Sequence, residues 1–166
     1  MAELYRRIDN MRDLIERPII YIDTVHILIP HRLSSKEYDV IRTASRGVHS
    51  YRTQCPGRIA YRLQCPTASC LEQLALICPD HIVTRFDIAL DLLVSDTEVA
   101  RTLCAEARLL TPQPWHGKRE ARDFETTQYI ASKGSRRNIA IYADRPSKIA
   151  NCPTVHIELR YCGANM

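Results

Sequence analysis

The segment Arg85–Asp91 carries two acidic residues, four positions apart, on one predicted strand. It reads Arg-Phe-Asp-Ile-Ala-Leu-Asp, and because successive side chains of a strand point to opposite faces, Asp87 and Asp91 share one face. They are separated by roughly 13 Å along the strand, so each carboxylate needs partners from neighbouring strands to hold a metal ion. The alternative is an ordinary amphipathic strand whose acidic face is solvated. The apolar residues expected to point into the core are Phe86, Ile88 and Leu90.

The last predicted strand supplies an imidazole and a carboxylate on one face. His156 and Glu158 are two positions apart in Thr154–Arg160, so their side chains project in parallel and both can reach one divalent ion. Carboxylate oxygens suit Mg²⁺ or Mn²⁺, and imidazole favours Mn²⁺ or softer metals. The alternative is a surface ladder in which these residues form a salt bridge.

Tyr142 follows the apolar residues Ile139 and Ile141 of another predicted strand and falls on the polar face. A phenol with a pKa near 10 is a weak nucleophile, so a covalent role requires a metal ion or cation beside a scissile phosphate. The alternative is a half-buried strand tyrosine.

A short basic strip surrounds Tyr142. Residues 133–148 contain five basic residues and one acidic residue, Asp144, which gives this window 5 − 1 = +4, equal to the net charge of the chain. Such a strip is typical of a surface that binds a polyanion, and a solvated loop is the alternative. The basic residues are Lys133, Arg136, Arg137, Arg145 and Lys148.

Alternating and helical patterns predict the elements that must position these residues. Predicted helices are 2–16, 34–44, 70–77 and 96–109, and the last three begin at capping boxes headed by Ser34, Ser69 and Ser95. Predicted strands are 19–29, 48–54, 58–64, 82–94, 124–132, 138–143 and 154–161, with a loop at 111–123. Hairpin-like groups of strands with helices between them predict an α+β fold on a mainly antiparallel sheet, as one domain over residues 1–166.

Composition excludes several classes of protein. With 45% hydrophobic and 25% charged residues among 166, the chain is neither disordered nor fibrous. It has no apolar run long enough to span a membrane and no secretory signal, so we expect a cytoplasmic protein. Its seven cysteines include no Cys-x-x-Cys pair, and we expect reduced thiols that serve as small apolar residues.

Taken together, these motifs make the sequence similar to a known family. It resembles the Rep_trans-type replication initiators of rolling-circle plasmids and their relatives among filamentous phages. Those proteins carry, in order, an Arg-x-Asp-x-x-x-Asp strand, Tyr-x-Gly-Ser, a basic serine-containing stretch, a tyrosine followed by acidic and basic residues, and a late strand with glutamate. The matching residues, in the same order, are Arg85, Asp87 and Asp91; Tyr129–Ser132; Ser135–Arg137; Tyr142 with Asp144 and Arg145; and His156–Glu158. The likeness covers about residues 80–162, with Ala131 where the motif has glycine.

The resemblance implies a diverged HUH-like fold and a metal-dependent, site-specific single-strand DNA endonuclease. Tyr142 is then the nucleophile, which keeps the 5′ phosphate covalently and leaves a 3′ hydroxyl to prime synthesis. The residues that would hold Mg²⁺ or Mn²⁺ are Asp87, Asp91, His156 and Glu158.

The same resemblance implies single-stranded or origin DNA as the partner, contacted by the basic strip. A host helicase is a further expected partner, no membrane is expected, and the oligomeric state stays open between monomer and homodimer. Family members generally continue past the last strand, so we expect an excised domain or a truncated copy. Two alternatives remain: a truncated, non-catalytic DNA-binding module of the same fold, and an unrelated α+β protein with an incidental basic strip.

Overall fold

The structure is a computed structural model that describes residues 2–110, 119–123, 127–132 and 136–163. Four helices and eight strands lie in these ranges. The helices are α1 (Ala2–Leu14), α2 (Ser35–Thr43), α3 (Ala68–Ile77) and α4 (Thr97–Leu110). The strands are β1 (Arg17–Ile29), β2 (Gly47–Tyr51), β3 (Ile59–Gln64), β4 (Ile82–Leu93), β5 (Arg119–Asp123), β6 (Thr127–Ser132), β7 (Arg137–Tyr142) and β8 (Thr154–Cys162).

The strands follow the order β2-β3-β1-β4-β8-β7-β6-β5 in one sheet. The pairs β1–β3, β2–β3, β5–β6 and β6–β7 are antiparallel. The α+β class with a mainly antiparallel sheet is therefore confirmed.

The chain divides into two compact units. The first unit consists of Met1–Ile20 and Ala89–Leu159, and the second of Tyr21–Ile88 and Arg160–Met166. The ranges of β1, β4 and β8 each include residues of both units. A single domain over residues 1–166 stays a prediction.

The core of the second unit lies between β1–β3 and the helices α2 and α3. Alternate residues of β1 and β3, such as Ile27 and Leu63, are fully buried and pack with Ile41 of α2 and Leu74 of α3. Gly57 makes the turn between β2 and β3 with φ of 69°, a conformation that glycine adopts without steric cost. The strands predicted at 48–54 and 58–64 thus correspond to β2 and β3, which pair as a hairpin.

The core of the first unit forms on the apolar face of α4. Leu103 and Ala107 of this helix pack with Ile141 of β7 and Val155 of β8. Met11 of α1 packs against the same cluster. Helical spacing of apolar residues, which predicted both helices, thus explains which face each one buries.

Two of the three predicted capping boxes are wrong. Ser34 and Glu37 do form a box at the start of α2. The cap of α3 is Thr67, whose hydroxyl accepts from Cys70 N at 3.1 Å, rather than Ser69. At α4 the carboxylate of Asp96 accepts from Val99 N at 2.9 Å in place of Ser95. In both cases a neighbouring side chain whose oxygen can also accept at a cap takes the position.

The predicted loop at 111–123 is wrong over its last five residues, because Arg119–Asp123 forms β5 and pairs with β6. Residues 111–118 lie outside the described residues. No cysteine takes part in a disulfide, and four of the seven, Cys65, Cys70, Cys78 and Cys104, are buried as small apolar residues. Within the described ranges, the helices are too short or too polar to cross a membrane.

Candidate metal and tyrosine site

The polar face of β4 and β8 is buried. Asp87 and Asp91 have no solvent exposure, while Phe86 and Ile88 on the opposite face of β4 are only partly buried. On β8, His156 and Glu158 are each 3% exposed. The predicted alternation is therefore right, but the solvated acidic face and the surface ladder are both wrong. Burying charged groups is costly unless they are paired or hold a metal ion, so these residues need partners.

Asp91 and His156 form a short polar contact in the first unit. The distance from His156 Nδ1 to Asp91 Oδ1 is 2.5 Å. An ionised carboxylate can only accept a hydrogen bond, so Nδ1 donates to it, and in the neutral ring Nε2 then carries the lone pair. This contact fixes the orientation of the imidazole and prepares Nε2 to bind a metal ion.

His156 Nε2 faces the carboxylate of Glu158 at 3.9 Å from Oε2. A divalent ion lies about 2.1 Å from nitrogen and oxygen ligands, so one ion fits between two atoms at this separation. Asp91 contacts the other ring nitrogen of His156. In this arrangement Asp91 orients the histidine and does not itself bind the ion. The donor set of one imidazole and one carboxylate suits Mn²⁺ and accommodates Mg²⁺.

Tyr142 lies against this histidine. The ring centroids of Tyr142 and His156 are 4.5 Å apart and the planes are tilted by 34°. Tyr142 is the last residue of β7, where it pairs with Thr127 of β6 and is half-buried. The structure therefore brings together Tyr142, Asp91, His156 and Glu158, four of the predicted site residues.

No family model and no curated protein matches the chain. The function is therefore inferred from the residues and their geometry.

Asp87 is a member of the second unit and has a specific partner there. Arg85 Nε donates to both of its carboxylate oxygens, at 2.9 and 2.8 Å, and Arg85 Nη2 lies 2.5 Å from Oδ2. Such a bidentate ion pair compensates the buried charge without a metal ion. The predicted role of Asp87 as a metal ligand stays a prediction.

Asp23 is a buried carboxylate that sequence reasoning did not select. It is 2% exposed on β1 in the second unit, and Thr24 Oγ1 donates to it at 3.0 Å. The available signal was its position in the mostly apolar run of residues 19–29, where an aspartate is unexpected.

The basic strip is largely exposed. Arg136, Arg137 and Arg145 are open to solvent, and Lys148 is half-buried. Arg145 Nε lies 3.8 Å from Asp144 Oδ2, and such an ion pair at the surface has little energetic weight. Lys133 lies outside the described residues.

Proposed function

We propose that the chain is a rolling-circle replication initiator that nicks single-stranded origin DNA, with an HUH-like fold and Tyr142 as the nucleophile. The observation that carries the proposal is the aromatic contact between Tyr142 and His156. That histidine is buried, is oriented by Asp91 and faces Glu158 at 3.9 Å. A tyrosine beside a potential metal site is the arrangement that makes a weak phenol useful as a nucleophile.

In the proposed reaction, the hydroxyl oxygen of Tyr142 attacks the phosphorus of one phosphodiester. The bond between phosphorus and the 3′ oxygen breaks, and a bond from phosphorus to the tyrosine oxygen replaces it. The phenolic proton leaves to water, and the departing 3′ oxygen takes up a proton. The products are a 5′-phosphotyrosine and a free 3′ hydroxyl.

His156 and Glu158 would hold Mg²⁺ or Mn²⁺, which when bound polarises a phosphoryl oxygen. Asp91 holds the imidazole of His156 in place. The negative charge of Asp91 also makes the imidazole a stronger metal ligand. Three exposed arginines lie close to Tyr142 in the sequence: Arg136, Arg137 and Arg145. Their positive charges support the binding of a polyanionic strand.

The exposure of the basic strip also favours a second candidate, a DNA-binding module without catalytic activity. Such a module needs the strip but does not need Glu158 or the hydroxyl of Tyr142. The two candidates therefore differ in what Glu158→Gln does, since this variant removes a charge from the buried site and leaves the strip intact.

The experiment measures nicking of single-stranded origin DNA from the replicon that encodes the chain, with Mn²⁺, with Mg²⁺ and with EDTA. We expect wild-type protein to cut only with a metal ion, and Glu158→Gln to lose cutting while it retains binding. Glu98→Gln is the matched control, because Glu98 is 81% exposed and undergoes the same chemical change. Binding without any cutting by wild-type protein would favour the non-catalytic module.

A further inference from the structure

Three basic or aromatic side chains lie in a row across β1, β3 and β2 of the second unit. In the register of the strands, Arg62 is directly opposite His26 on one side and His49 on the other. Directly opposite residues of antiparallel strands point to the same face, with Cβ atoms about 5 Å apart. Their neighbours Val25, Leu63 and Val48 are buried in the core with α2 and α3, so the row faces away from those helices.

Tyr51 extends this row with an aromatic ring. It stands two residues after His49 on β2 and therefore shares its face. Its hydroxyl is 2.8 Å from His26 Nδ1, and the two rings meet edge to face with centroids 5.7 Å apart. Tyr51 is 41% exposed and His49 is also exposed, so both rings present surface to a ligand.

Arg62 gives the row a positive charge, and among the described residues no ion pair joins it to an acidic group. It is half-buried, and within the described part of the chain its buried Nε has no hydrogen-bond acceptor. The other guanidinium near His26, that of Arg85, already binds Asp87. A buried donor without an acceptor costs free energy. The side chain as a whole is only half-buried, so its positive charge is open to an anionic ligand through the other guanidinium N–H groups.

The pKa of His26 is consistent with positive charge beside it in the row. Burial, followed by the charges of Arg85 and Arg62, lowers the pKa of His26 to about 4. At neutral pH the ring is therefore uncharged, and the positive charge belongs to the guanidinium groups. An anion placed between them would be favoured and would raise the pKa of His26.

We propose that Arg62, with His49 and Tyr51, forms a binding site for a single-stranded polynucleotide, in which Arg62 holds a phosphodiester and the two rings stack on bases. Sequence-independent binding of single strands combines these two elements, cationic groups for the backbone and aromatic rings for the bases. The identification of the strand as DNA rests on the proposed function, whereas the site itself does not depend on nicking.

The test is the fluorescence anisotropy of a labelled oligothymidylate titrated with the full chain in EDTA, over a range of salt concentrations. We expect Arg62→Ala to weaken binding by about tenfold. It should also lower the slope of log K against log salt by about 0.7, the value for one phosphate contact on a single strand. Arg42→Ala is the matched control: it makes the same charge change at an exposed position on α2 and should leave both quantities unchanged.

His49→Ala removes an exposed ring and keeps the result interpretable if Arg62→Ala unfolds the chain. It should weaken binding about fivefold or more. In NMR titrations, the oligothymidylate should raise the pKa of His26 in wild-type protein, and inorganic phosphate at equal phosphate concentration should do so far less. Equal effects of the two ligands would overturn the assignment to a strand and leave a simple anion site.

Tyr142→Phe separates this proposal from the proposed function, because it should abolish nicking without changing oligothymidylate binding in EDTA. If Arg62→Ala and His49→Ala both bind like wild-type protein, the site does not exist, whatever the nicking assay shows.

Discussion

Lowering the pH should destabilise the protein through His26. The folded-state pKa of this residue is about 4, against 6.5 for an unperturbed histidine, and the largest cause is burial of the ring. The unfolded chain therefore binds a proton before the folded chain does as the pH falls. The stability that the protein gains from keeping His26 uncharged is fully present above about pH 6.5 and is lost between pH 6.5 and pH 4.

The size of the loss in the free energy of unfolding follows from how far the pH is lowered within this interval. At pH 5, about 1.5 pH units below 6.5, the loss is about 2 kcal/mol for a fully buried group. His26 is only half-buried, and solvent screens the charges of Arg62 and Arg85, so we expect about 1 kcal/mol.

The assay is urea unfolding of wild-type protein and His26→Gln at pH 7 and at pH 5. Glutamine does not titrate, so the difference between the two proteins removes the contribution of the other histidines. Wild-type protein should lose about 1 kcal/mol more than the variant on acidification. Equal losses, together with an NMR titration of His26 near pH 6.5, would refute the reasoning.

Three further predictions concern the caps, the core and the basic strip. Thr67→Ala should lower the free energy of unfolding by about 1 kcal/mol because it removes the cap of α3, and Ser69→Ala should cost clearly less in the same urea titration. Leu103→Ala should cost about 2 to 5 kcal/mol because the side chain is fully buried, whereas Leu109→Ala, at a position 64% exposed, should change stability by less than about 0.5 kcal/mol. Arg145→Ala should lower the salt slope of single-stranded DNA binding by about 0.7, and an unchanged slope would exclude a phosphate contact there.

Local patterns predicted most of the fold. Apolar residues at helical spacing marked α4, and alternation marked β4, β7 and β8 to within a residue or two at each end. The strand β5 escaped prediction because Arg119–Asp123 has neither alternating apolar residues nor residues with high strand propensity. Arg119–Asp123 forms a strand because it pairs with β6. Such pairing depends on the whole sheet and is not encoded in the local pattern of residues.

The site was predicted less completely than the fold. Spacing alone placed His156 and Glu158 on one face, since they are neighbours on one strand. It could not give the hydrogen bond from His156 to Asp91, whose partners are 65 residues apart. Alternation also cannot say which face of a strand becomes covered, so the complete burial of Asp87 and Asp91 was visible only in the structure.

Under the proposed function, Tyr142 forms a covalent bond to DNA. The most direct measurement incubates single-stranded origin DNA, labelled at its 3′ end, with protein and Mn²⁺, and separates the products on a denaturing gel. Because the 5′ phosphate stays on the tyrosine, wild-type protein should carry the label, and Tyr142→Phe should not, although it still binds the DNA. Tyr129→Phe is the matched control, since Tyr129 lies on the neighbouring strand and pairs with Ala140 of β7, and it should form the adduct normally. A labelled adduct that survives Tyr142→Phe and disappears in Tyr129→Phe would contradict the account.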